Sequence, residues 1–120
     1  MPLLRDRVKD TTTSTGTGNL TLSGTSPTGF QSFNSAFGLS NLFTYAIVDS
    51  TSGLWETGVG KLLDATTLTR DTAYEGSSGI GVLVSFTAGT KDVFCSAPAM
   101  DIAKSNIGRT LAISSGMAFL

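Results

Sequence analysis

Nine carboxylates and a single thiol are the side chains of this 120-residue chain best suited to acid–base or covalent chemistry, and no histidine accompanies them. Imidazole titrates near neutral pH, so its absence removes the commonest general base. Neither Cys95 nor any serine has a histidine to activate it. Cys95, within Val93-Phe94-Cys95-Ser96-Ala97, reads as a small hydrophobe. A lone cysteine also excludes an internal disulfide and a cysteine-based zinc site. The acids are Asp6, Asp10, Asp49, Glu56, Asp64, Asp71, Glu75, Asp92 and Asp101, and none has the spacing of a calcium loop. Glu56 beside Trp55 raises sugar chemistry, because an aromatic face stacks on a pyranose. Glycoside hydrolysis needs a second, facing acid, and the sequence places none. A glutamate turned to solvent from a strand is the plainer reading. Gly16-Thr17-Gly18, Gly58-Val59-Gly60 and Gly79-Ile80-Gly81 do not continue into a phosphate loop or a dinucleotide fingerprint. The chain therefore reads as non-enzymatic, with no catalytic, cofactor-binding or metal-ligating residue.

The body that must position these residues is small. A length of 120 fits one domain, and 40% apolar residues suffice for a core. Thr, Ser and Gly supply 47 residues, and only 14% of the chain is charged. A mean hydropathy of +0.18 with so few charges predicts that some apolar area meets another chain. The net charge of −1 gives no footprint for nucleic acid. Arg5, Arg7 and Lys9 crowd together, but Asp6 and Asp10 offset them. No apolar run approaches the ~20 residues of a membrane span. Met1-Pro2-Leu3-Leu4 leads straight into charge, unlike a secretory signal, so synthesis in a cytoplasm is expected.

Along the chain the period is mostly two. Residues 5–13 alternate and predict an exposed or edge strand, paired through the Ser14–Asn19 turn with Leu20–Ser23. Phe30, Phe33 and Phe37 break that pattern with helical spacing, which predicts one short helix over about 30–37, closed by Gly38. Leu42–Val48 is apolar on both faces and predicts a central strand. Asp49–Gly53 is a turn, and Leu54–Lys61 returns beside it. Gly58 and Gly60 share one face there, which marks either close packing under an aromatic ring or a bulge. Strands are further expected at 66–71 and at 82–86, with 92–96 as the hairpin partner of the latter and a loop at 74–81. Pro98 closes the pattern. In the remainder, Met100, Ile102, Ala103 and Ile107 suit a helical turn, and Leu111 with Ile113 a last strand. The fold class is all-β: an antiparallel β-sandwich or barrel with one short helix. Residues 1–99 form the β-rich module, and 100–120 form an extension docked on its own domain or on a neighbouring subunit.

Ordered blocks carry a resemblance. They run Arg7-Val8-Lys9-Asp10-Thr11-Thr12-Thr13, Gly16-Thr17-Gly18, Leu20-Thr21-Leu22, Gly29-Phe30 and Ser32-Phe33. Tyr45-Ala46-Ile47-Val48-Asp49, Trp55-Glu56-Thr57-Gly58-Val59-Gly60, Leu68-Thr69-Arg70-Asp71 and Phe86–Phe94 follow, before Pro98-Ala99. Over roughly residues 5–99 this string resembles small structural modules of tailed-bacteriophage virions, found alone or at the start of fibre-like appendage proteins. The resemblance implies a multimeric, β-rich virion protein with no catalytic residues and no cofactor, made in the host bacterial cytoplasm. The expected role is a tail or appendage connector or accessory subunit, assembled as a homo-oligomer (a trimer by preference) with other virion proteins. A capsid decoration, or cement, protein is the first alternative, and a carbohydrate-binding module using Trp55 is the second. Subunit contacts are expected from Leu3, Leu4, Arg7 and Lys9, and from Met117, Phe119 and Leu120. No nucleic acid or membrane partner is expected.

Overall fold

The computed structural model describes residues 2–99, and the expectations placed on Met117, Phe119, Leu120 and the 100–120 extension lie outside them. The described chain is all-β with one short helix. Its strands are β1 (Lys9–Thr12), β2 (Leu20–Thr21), β3 (Phe43–Val48), β4 (Trp55–Gly60), β5 (Leu62–Asp64), β6 (Thr67–Leu68), β7 (Thr72–Gly76), β8 (Gly79–Ile80) and β9 (Lys91–Phe94), with α1 (Phe33–Phe37) between β2 and β3. Six strands form one antiparallel sheet in the order β1-β9-β3-β4-β7-β8, and a smaller sheet runs β2-β6-β5. The six-stranded sheet stays open at β1 and β8, so the architecture is a sandwich and not a closed barrel.

One core joins the layers. Phe43, Tyr45, Ile47 and Val93 come from the large sheet, Leu20, Leu62 and Leu68 from the small one, and Phe33 and Phe37 from α1. Phe37 stacks on Phe43 with ring centroids 4.5 Å apart, and Phe33 lies 5.3 Å from the same ring. Each such buried side chain is worth roughly 1.5–3 kcal/mol. A five-residue helix is not stable alone, and this docking holds it. Ser32 caps it by accepting from the Ser35 N–H (3.0 Å), and Gly38 ends it by donating to the Asn34 carbonyl (2.9 Å).

The central hairpin follows the sequence reading. β3 is buried from Phe43 to Ile47 and pairs with β4 along its full length, from Phe43 with Gly60 to Val48 with Trp55. Asp49 closes the turn, accepting from the Thr51 and Ser52 amides. Gly58 and Gly60 satisfy both options raised for them. A Cβ at Gly58 would strike the Thr72 carbonyl oxygen and the Tyr45 hydroxyl, one at Gly60 would strike the Thr69 carbonyl oxygen, and a bulge falls between Thr57 and Gly58.

Elsewhere the structure corrects the sequence. The helix spans 33–37 and omits Phe30, because the turn at Pro27–Gly29 aims that ring elsewhere. Residues 5–13 and 20–23 form no ladder, only the Thr12–Leu22 bridge with hydrogen bonds around it; β1 pairs instead with β9, and β2 with β6. The strand expected at 66–71 is cut to Thr67–Leu68 by a tight return from β5, where Asp64 accepts from the Thr66 amide. The loop expected at 74–81 is a hairpin, β7–β8. Residues 82–86 are not a strand: Phe86 makes one bridge to Gly16, and β9 takes β1 and β3 as neighbours.

Candidate functional site

The acid that drew attention in the sequence does not face water. Glu56 is fully buried, on the opposite side of β4 from the half-exposed Trp55, so the two do not form a sugar site. Its carboxylate lies on Arg70, whose Nε–H donates to Oε2 (3.0 Å) and whose Nη2 donates to Oε1 (2.5 Å). The Tyr45 hydroxyl donates to Oε2 (2.6 Å), and the Val84 N–H donates to Oε1 (2.7 Å). Arg70 also donates to the carbonyls of Val84 (2.6 Å), Gly16 (3.0 Å) and Gly18 (3.2 Å). Every capacity of this pair is taken up by protein, which is what a buried charge pair requires. Burial first, and then the neighbouring Glu56 carboxylate, push the Tyr45 hydroxyl far above its ordinary value, so it stays a donor. The arrangement is a brace, binding β3, β4 and the 16–18 and 82–86 segments. It explains why 82–86 joins no sheet: Glu56 and Arg70 take the Val84 backbone groups that a neighbouring strand would need.

Asp10 does similar work at the other edge. It is buried and accepts from the Thr11 amide (2.6 Å), the Gly24 amide (3.1 Å) and the Ser23 hydroxyl. Three further acids sit below the usual carboxylate range. Burial raises Asp49, but hydrogen bonds from Ser52 and Thr51 and the Lys91 charge outweigh it. Asp64 is lowered by the Thr66 amide and by Thr67. Burial likewise raises Asp71, and the Lys61 ammonium at 2.8 Å with Thr69 overcomes it. Among the described residues, no three of His, Cys, Asp and Glu gather where they would hold a metal ion. Cys95 is a free thiol, half-buried against the core.

Large apolar side chains are also turned outward. Leu3, Leu4, Leu39, Leu42, Leu63, Trp55, Ile80 and Val82 are the exposed large hydrophobic residues. Leu3 N–H donates to the Leu42 carbonyl (2.9 Å), and Ser40 N–H, next to Leu39 in the chain, donates to the carbonyl of Leu62, next to Leu63 (2.9 Å). Trp55 and Ser77 bond to each other's backbone beside the β7–β8 hairpin that carries Ile80, itself 74% exposed. Ile80 faces Glu75, and the next residue, Gly81, donates back to Tyr74. The Ile80 N–H and C=O therefore point away from the sheet.

Of the residues expected to make contacts, Leu3 and Leu4 are about half exposed, Arg7 is exposed and Lys9 is partly so. β1 is an edge strand, as expected, but its outer side is occupied. Lys9 N–H donates to Gln31 (3.2 Å), and the Thr11 carbonyl accepts from Ser23 (2.9 Å). Among the described residues, no strand pairs with the outer edge of β8, which sequence reasoning read as loop. The Glu56–Arg70 pair was also missed. The two are fourteen residues apart on different elements, and no local pattern signals that they meet. Comparison with protein-family models, with curated proteins and with solved structures gives no match. No helix among the described residues is long and apolar enough to cross a membrane.

Proposed function

We propose that this chain is a non-enzymatic structural module of a tailed-bacteriophage virion, an appendage connector or accessory subunit that works by contact with copies of itself and with other virion proteins. The observation that carries the contact reading is the pairing of an inward chemistry with an outward apolar surface: Glu56 and Arg70 are buried on each other, while eight large hydrophobic side chains among the described residues stand exposed. Isolated exposed leucines are ordinary on a soluble protein, but exposed apolar side chains beside an unpaired strand edge, as Trp55 and Ile80 are at β8, suit docking. The resemblance of residues 5–99 to phage modules supplies the virion setting, and a trimer is the preferred assembly.

Two measurements test this. Mass spectrometry and immunogold labelling of purified phage particles should find the chain in the virion, at the tail or its appendages. Labelling over the capsid shell would favour the decoration role, and absence from particles would end the virion reading. For the sugar-binding alternative, a half-exposed Trp55 is the supporting observation; a glycan array on which the native chain and Trp55→Ala are equally silent disposes of it.

A further inference from the structure

A groove of about 350 Å3 runs beside β1, lined by Arg7, Val8, Lys9, Phe30, Phe94 and Cys95. Its two cations share one ring. The Arg7 guanidinium lies 3.9 Å from the centroid of Phe30, and the Lys9 ammonium lies 5.4 Å from it. Arg7 is held there in a left-handed backbone conformation, φ 57, which costs a non-glycine residue about 1–2 kcal/mol. The Gln31 N–H fixes it by donating to the Arg7 carbonyl (2.7 Å), and Arg7 Nε–H donates to the Gly29 carbonyl (3.1 Å). No described residue accepts a hydrogen bond from either Nη of Arg7. Lys9 is also loosely held: its ammonium is 3.8 Å from Asp92, between side chains 28% and 45% exposed. No carboxylate lines the groove.

An arginine in a left-handed backbone conformation, with its guanidinium over an aromatic ring and both Nη groups unfilled, is pre-set for a planar two-oxygen acceptor. We propose that this groove receives an aspartate or glutamate side chain presented by a neighbouring polypeptide. Val8, Phe30 and Phe94 offer an apolar floor for the methylenes and flanking peptide of such a side chain. The groove's open side suits a tethered group better than an enclosed small ion. The inference rests on the contact-making reading and specifies the chemistry of one contact.

The test is an NMR titration of the full chain with an N-acetylated, C-amidated Gly-Glu-Gly-Glu-Gly peptide, with succinate and inorganic phosphate as parallel arms. The peptide should shift the Arg7 Nε–H and the Phe94 and Cys95 amides, saturate at millimolar concentration and weaken with added salt. Arg7→Gly suits the φ of that position, so it should keep its melting temperature while its affinity for the peptide falls about tenfold or more, the loss of a charge-assisted pair. Lys9→Gln, which leaves the backbone unstrained, should weaken binding by a smaller factor. Arg7→Gly binding as well as the native chain, or no shift at these three sites, overturns the proposal. Tighter saturation by succinate or phosphate than by the peptide overturns the polypeptide source. None of these outcomes alters whether the chain is found in particles, so the two readings fail separately.

Discussion

Arg70 is the residue whose loss should matter most to the fold. Arg70→Met leaves Glu56 buried with no counter-charge and takes the Arg70 donors from the carbonyls of Val84 and Gly18, while Gly16 keeps the Phe86 N–H. The expected cost is about 3–5 kcal/mol, a large share of the stability of a domain this size, read from chemical denaturation. Tyr45 adds a signature in alkali. Its folded pKa is raised above the unfolded value of about 10, so its contribution is fully present below pH ~10 and is lost as the pH climbs beyond it. Tyr45→Phe should flatten that alkaline slope. In acid the sign reverses. Asp49, Asp64 and Asp71 have lowered pKa values when folded, so their contribution is present above pH ~4 and drains away as the pH falls through the folded values. Asp71→Asn should shrink the acid dependence of the melting temperature.

At the scale of elements, the segment 82–86 gives a sharp expectation for hydrogen exchange. The Val84 amide, bonded to Glu56, should be protected, while those of Leu83 and Ser85, with no acceptor among the described residues, should exchange quickly. Uniform protection from 82 to 86 would mean a true strand. The β3–β4 hairpin and its two glycines were legible because both depend on neighbours in the same hairpin or on a pattern of period two. Gly60→Ala should cost several kcal/mol, since a rigid carbonyl oxygen of Thr69 occupies the space a methyl needs. The run Val82-Leu83-Val84-Ser85-Phe86 predicted a strand as firmly, yet it was misleading. Its residue types are satisfied whether the backbone N–H and C=O bond to a strand or, as at Val84, to the side chains of Glu56 and Arg70. Phe30 was misread for a similar reason: its spacing from Phe33 fits a helix, but the Pro27–Gly29 turn intervenes and gives the ring to Arg7. The buried acid and its arginine were illegible because a half-apolar strand does not say what lies beyond its inward face.

For the whole molecule, the Glu56–Arg70 pair is spent inside the fold, and the proposed role gives the exposed apolar side chains to neighbouring chains. Replacing Leu3 and Leu42 together by serine should leave the melting temperature nearly unchanged, because both are about half exposed in the single chain, yet should weaken any association. The most direct measurement is sedimentation equilibrium of the purified chain at micromolar concentration, with that double variant alongside. The proposed trimer should give a native mass three times the 12.4 kDa of one chain, with a lighter species for the variant. A native mass of one chain, unchanged in the variant, would contradict it.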